Sequence, residues 1–79
     1  MRVKLIPYAE LRRQVLPQGG DARWIEVPDG STVADVLHAL NLKTEDRLIV
    51  GLDGVYATPD TPLHDNATLT LVTPMQGGA

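Results

Sequence analysis

The chain has 79 residues, room for one compact domain and not for two. Its formal net charge is −3, which argues against a nucleic-acid partner, since phosphate binding needs a surplus of Lys and Arg on one face. It has no cysteine, so disulfides, thiol catalysis and cysteine-ligated zinc are excluded.

A domain of this size buries only ~60% of the surface its unfolded chain exposes. Nearly every apolar residue in a regular segment is therefore needed for the core, and little is left for an internal active site. A cysteine-free chain fits the cytoplasm. No basic start followed by an apolar run marks a signal peptide, and no stretch approaches the ~20 apolar residues of a membrane span. Arg12-Arg13, the adjacent basic pair, reads as a solvated loop or helix end.

Residues 2–6 alternate as a strand, with Val3 and Leu5 on one face and Arg2, Lys4 and Ile6 on the other. Pro7 cannot donate to a ladder, so pairing should stop there. Residues 8–14 predict a turn or a single helical turn, and residues 17–21 a loop around Gly19-Gly20. Residues 23–27 form the second strand, with Ile25 and Val27 opposite Trp24 and Glu26, before the turn Pro28-Asp29-Gly30. Thr32 is a good N-cap with Asp35 three residues on, near to a capping box. Val33, Val36, Leu37 and Leu40 then make one apolar stripe, stopped at Asn41. This helix must be covered by a sheet, because nothing else in the chain is helical enough to cover it.

Residues 48–52 predict a third strand, Asp53-Gly54 a hairpin turn, and Val55–Ala57 a short return strand. Residues 58–66 read as a loop. Residues 68–72 alternate, with Leu69 and Leu71 inward and Thr68, Thr70 and Val72 outward. Pro74 ends pairing. The chain thus divides into a domain over 1–73, an α+β roll with a mixed sheet of four to five strands and one main helix, and a mobile tail over 74–79.

No catalytic set emerges. His38 and His64 lack metal-ligand spacing to one another and read as surface or boundary residues, so no metal site is expected. Ser31 belongs to the turn before the helix. Asp29, Asp53 and Asp65 occupy turn positions, where the carboxylate is expected to bond nearby backbone. Gly19-Gly20 lacks the Lys and Ser/Thr of a phosphate loop. What remains is the tail. Gly77-Gly78 carries no Cβ and can pass through a channel too narrow for a side chain. The outward residues Trp24, Thr70 and Val72 are candidates for a partner surface on the sheet face away from the helix.

These pieces, in order, resemble the MoaD/ThiS family of ubiquitin-like sulfur carriers, closest in look to the small subunit of molybdopterin synthase. Val3-Lys4-Leu5 with Tyr8-Ala9-Glu10-Leu11-Arg12 is similar to that subunit's first strand and the run after it. The segment from Pro28 through Leu37 resembles the family's helix entry, Asp53-Gly54-Val55-Tyr56 its hairpin, and Thr61-Pro62-Leu63-His64-Asp65 the turn before its last strand. The run from Leu69 to Gly78 resembles that strand and the Pro-x-x-Gly-Gly ending. Pro7 ahead of the aromatic, the loop over 14–22, and Ala79 after Gly78 depart from the pattern.

The resemblance implies a β-grasp fold and a carrier, not an enzyme in its own right. It implies that an activating enzyme uses ATP and Mg²⁺ to adenylate Gly78. A sulfur donor then leaves a thiocarboxylate there, and a sulfur-acceptor synthase takes the sulfur. Molybdopterin is the favoured product, with thiamine's thiazole and other products open. Pro74, Met75, Gln76 and Gly77 would thread the tail into the partner. A metalloprotease cutting between Gly78 and Ala79 would free the glycine carboxylate. A protein modifier joined through Gly78 to a lysine, a β-grasp binding module with an inert tail, and an Ala79 foreign to the natural chain stay open as alternatives.

Overall fold

The computed structural model describes residues 1–9, 11–42 and 48–72. In chain order these form β1 (Arg2–Pro7), α1 (Leu11–Val15), β2 (Arg23–Glu26), α2 (Val33–Ala39), β3 (Ile49–Leu52), β4 (Val55–Ala57) and β5 (Ala67–Val72). The five strands make one sheet in the order β2-β1-β5-β3-β4. β1 and β5 run parallel at its centre, and the other pairs are antiparallel.

The alternation read from the sequence sets the two faces. Val3, Leu5, Leu69 and Leu71 are fully buried and meet Val33, Val36 and Leu37 of α2 in one cluster. α2 starts where the sequence places it. Thr32 takes extended backbone, its Oγ1 accepts from the Asp35 N–H at 3.4 Å, and its own N–H donates to the Asp35 carboxylate at 2.8 Å, a complete capping box. The helix ends as the sequence implies too. Asn41 adopts a left-handed φ of 58°. Its N–H reaches the His38 carbonyl, and the Leu42 N–H reaches the Leu37 carbonyl, so two otherwise orphan carbonyls are satisfied. Leu42 then buries itself in the core.

Pro7 sits inside β1, one residue beyond the expected end, paired with Leu71. β2 stops opposite Leu5, and the Tyr8 N–H bonds the Leu71 carbonyl on the β5 side. Because successive N–H groups point to opposite edges, the missing Pro7 donor falls where no strand lies alongside. Strand ends elsewhere differ from the sequence reading by a residue: Glu26 ends β2, Ile49 opens β3 and Ala67 opens β5.

α2 shares the inner face with the helical turn expected after β1, which the structure places at Leu11–Val15 rather than within residues 8–14. α1 places Leu11 and Val15 one turn apart, both buried, with Leu16 beside them in the same cluster. A left-handed turn at Ala9 (φ 54°) lets the chain leave β1 and fold back over the sheet end. Short helices stand on tertiary burial rather than on propensity, so five residues with two core anchors suffice. Among the described residues no helix is long and apolar enough to cross a membrane.

Candidate functional site

The sheet face away from the helices carries the exposed chemistry. The ladder registers place Thr70 beside Gly51, Gly51 beside Tyr56, and Val72 beside Ile49. Ile49, Gly51, Val55, Tyr56, Thr70 and Val72, with the turn at Gly54, line an open groove of about 230 Å³. None of these side chains is charged. The groove exists because Gly51 has no side chain in a row where its neighbours do. Tyr56 stands over it 84% exposed, an apolar ring with a polar tip of the kind favoured at interfaces.

Thr70 and Val72, two of the three predicted surface residues, thus lie together in this groove. Trp24 does not join them. It shares the outer face, but its row runs through Lys4 to Thr68, so it sits two strand spacings, about 10 Å, to the side of β5. Trp24 is 45% exposed, with the Arg2 guanidinium stacked over its ring at 4.6 Å. Glu10 and the tail residues Pro74, Met75, Gln76, Gly77, Gly78 and Ala79 lie outside the described residues.

The β3–β4 hairpin that walls the groove turns through Asp53 (φ 51°) and Gly54 (φ 87°), the double left-handed geometry of a tight two-residue hairpin. Asp53 does more than turn the chain. Its Oδ1 accepts from the Thr68 N–H at 2.9 Å, and its Oδ2 accepts from His64 Nε2 at 2.5 Å. Asp65, on the same side, accepts the Arg2 N–H at 2.8 Å. Asp29 faces the Met1 amino group at 3.2 Å. The expectation that these aspartates bond nearby backbone is therefore corrected: their partners are groups far off in sequence, brought close by the β1–β2 pairing for Asp29, the parallel β1–β5 pairing for Asp65 and the β3–β5 pairing for Asp53.

His64, read from the sequence as a bland surface residue, is bonded through both ring nitrogens, to Asp53 and to the Asp65 carbonyl at 2.8 Å. The bond to Asp53, then that to Asp65, pushes the His64 pKa up. The Thr68 N–H, then His64, pulls the Asp53 carboxyl down. His38 is exposed on α2. Ser31 is buried, its hydroxyl donating to the Pro28 carbonyl at 2.7 Å, as a turn residue should. Among the described residues no group of three His, Asp or Glu could hold a metal ion.

The groove, the hairpin residues Gly51 and Tyr56, and His64 in the loop before β5 are what the sequence reading did not assign. Only part of the signal for the groove lay in the sequence, a glycine within a predicted strand; the pairing that frames it comes from the register. Ile49 and Gly51 alternate in phase with Val72 and Thr70, and a glycine in a strand marks a place where another group can approach closely.

The model of the ThiS family matches residues 8–78, from the aromatic after β1 to the second glycine of the tail. The chain belongs to the ThiS family. No curated protein matches it. Among solved structures it is similar to SAMP1, a small archaeal modifier protein from Haloferax volcanii, at a TM-score of 0.80 and 21% identity, over 99% of this chain and 100% of the other. A candidate molybdopterin converting factor subunit 1 from Pyrococcus furiosus aligns at 0.76 and 20% identity, over 94% of this chain and 98% of the other. A chain of the complex between subunits 1 and 2 of molybdopterin-converting factor from Helicobacter pylori aligns at 0.63 and 17%, over 99% and 100%. At such identities these likenesses establish the fold, a ubiquitin-like β-grasp. Family and fold together support a ubiquitin-like sulfur carrier or modifier.

Proposed function

We propose that this chain is a sulfur carrier that works through the carboxylate of Gly78. The observation that carries the reading is the extent of the family match, which runs through Gly77 and Gly78 and leaves Ala79 outside. In this reading a partner enzyme uses ATP and Mg²⁺ to join the Gly78 carboxylate to AMP, releasing pyrophosphate. Hydrosulfide supplied by a sulfur donor attacks the acyl carbon, the bond to AMP breaks and AMP leaves, and a thiocarboxylate remains for an acceptor synthase. A carboxylate is a poor electrophile until adenylated, and the phosphoryl chemistry belongs to the partner's cations. The carrier supplies recognition, through the groove around Gly51, and a tail that Gly77 and Gly78 keep slender. Molybdopterin is the favoured product, given the look of the Tyr8-to-Arg12 run.

Gly78 offers no carboxylate while Ala79 is attached. A channel fitted to glycine rejects the Ala79 methyl by clash. A metallopeptidase that polarises the Gly78 carbonyl and activates water would release Ala79 and complete the carrier. The test gives an activating enzyme, ATP and a sulfur donor to the full chain and to a chain ending at Gly78, and reads intact mass. Exchange of one oxygen for sulfur on the shorter chain alone is the expected result. Equal thiolation with Ala79 still attached removes the processing step. No thiolation of either removes sulfur carriage, and an isopeptide adduct of Gly78 with lysine would establish a modifier instead.

A further inference from the structure

His64 stands between two groups that can only accept. The Asp53 carboxylate faces Nε2, and the Asp65 carbonyl faces Nδ1. A neutral imidazole has one N–H and can serve one of them, and only the imidazolium serves both. The arrangement around it is a closed cluster. Asp53 also holds the Thr68 N–H, and the Asp53 N–H returns to the Thr68 carbonyl at 2.9 Å. The charged side chains acting on the ring are Asp53, from the hairpin, and Asp65, from its own loop. β1 contributes the Arg2 N–H, bound to Asp65, while the Arg2 guanidinium lies over Trp24. β5 contributes Thr68, which is uncharged. The ring is more than half exposed, so protons reach it freely.

We propose that His64 is a pH-dependent clip: in its doubly protonated form it ties the β3–β4 hairpin to the chain entering β5 and so fixes the wall of the groove formed by Val55 and Tyr56. When the ring loses a proton it loses one of its two bonds and its positive charge, so the bond to Asp53 is either broken or stripped of its charge assistance, and the hairpin then depends mainly on the Asp53–Thr68 bonds. Docking at the groove therefore weakens as pH rises through the titration of His64. This last consequence rests on the groove being the docking face of the carrier, whereas the clip itself does not.

The experiment uses the full chain without a partner. Nitrogen-15 spectra of the imidazole report its protonation, and amide hydrogen exchange at Thr68 and Gly54 reports the clip. At pH 7 an ordinary histidine is about three-quarters neutral. At the same pH His64 should show a larger share of the form with both N–H groups, and Asp53→Asn should move its midpoint down. After correction for intrinsic base catalysis, exchange at Thr68 should rise about threefold or more across that midpoint. The Tyr56 ring and Val72 methyl resonances should shift over the same interval. His64→Gln, checked for folding by circular dichroism, should show neither transition. A His64 midpoint no higher than that of an ordinary histidine, a midpoint indifferent to Asp53→Asn, or identical corrected exchange profiles in wild type and His64→Gln would overturn the clip. Thiolation of Gly78, read separately by mass, fails or succeeds independently of these signals, so loss of the clip and loss of the carrier reading are told apart.

Discussion

Gly51 is the residue on which the docking argument turns. Its backbone has no left-handed φ, and a Cβ built on it lies 3.6 Å from the Thr70 Cβ and 3.9 Å from the Val55 carbonyl oxygen. Both are ordinary van der Waals separations, so alanine fits without strain. A glycine inside a strand costs roughly 0.5–1 kcal/mol relative to alanine. Gly51→Ala should therefore raise the melting temperature by roughly 2–8 °C for a domain of this size. Gly51→Leu sends a branched chain into the groove between Tyr56 and Thr70 and occupies the space a partner side chain would take. Loss of one buried anchor at an interface centre is worth about 2 kcal/mol or more, which converts to a roughly thirtyfold or larger rise in KM for the carrier. The assay is adenylation of the Gly78-terminated chain by its activating enzyme, with melting curves on the same samples. Trp24→Ala is the contrast, because Trp24 lies three strands from Gly51 and two from the near edge of the groove, so its loss should leave KM unchanged. If Gly51→Leu melts normally and is adenylated with an unchanged KM, the groove is not the docking face. If Trp24→Ala raises KM as much as Gly51→Leu does, the docking face is the other half of the sheet.

Two further outcomes follow from local geometry. Thr32→Ala removes the hydroxyl that accepts the Asp35 N–H and should cost about 1 kcal/mol, seen as a fall in melting temperature of roughly 4–8 °C; a change within error would mean that the capping box adds nothing to α2. Stability should also depend on pH at both ends of the His64–Asp53 pair. The His64 pKa is raised above its ordinary 6.5, so its contribution is complete below that value and is lost as pH climbs through the folded-state pKa. The Asp53 pKa is lowered below its ordinary 3.8, so its contribution is complete above that value and is lost as pH drops through the folded-state pKa. Urea midpoints across pH should thus be highest between those two values, and His64→Gln should flatten the alkaline side. A wild-type alkaline limb that His64→Gln leaves intact would assign that limb to another group.

Much of the fold was legible because it is encoded over short range. Thr32, Asp35 and the stripe Val33, Val36 and Leu37 carry a helix start and a buried face within two turns. Asp53-Gly54 carries a hairpin in two residues. Leu69 and Leu71 declare their face by alternation alone. α1 was only half visible, because five residues hold too few apolar positions to fix a period, and its burial comes from contacts across the sheet end. The aspartates were misread for a similar reason. Local preference places Asp in turns, and that much holds, but Asp65 meets Arg2 across 63 positions and Asp53 meets His64 across 11. The first bond exists only once β1 and β5 lie side by side, and the second only once β3 pairs with β5. The groove needed the same information, since a gap at Gly51 is visible only when the register sets Thr70 on one side and Tyr56 on the other.

The register also links the groove to the chemistry proposed for Gly78. β5 supplies Thr70 and Val72 to the groove, and the same strand leads on into the residues that end at Gly78. Gly78 lies six positions beyond Val72, and six fully extended residue steps span at most about 20–22 Å. A partner that seats a side chain between Tyr56 and Thr70 must therefore hold its adenylating centre within that radius of Val72. Docking on the distant half of the face, around Trp24, adds about 10 Å of sheet to be crossed before the tail begins. The strand that buries Leu69 and Leu71 on one side and lines the groove with Thr70 and Val72 on the other thus fixes both where a partner can hold the domain and how far its active centre can lie from that grip. On the proposed function, a domain held at that grip brings the Gly78 carboxylate to the partner's centre at high effective concentration.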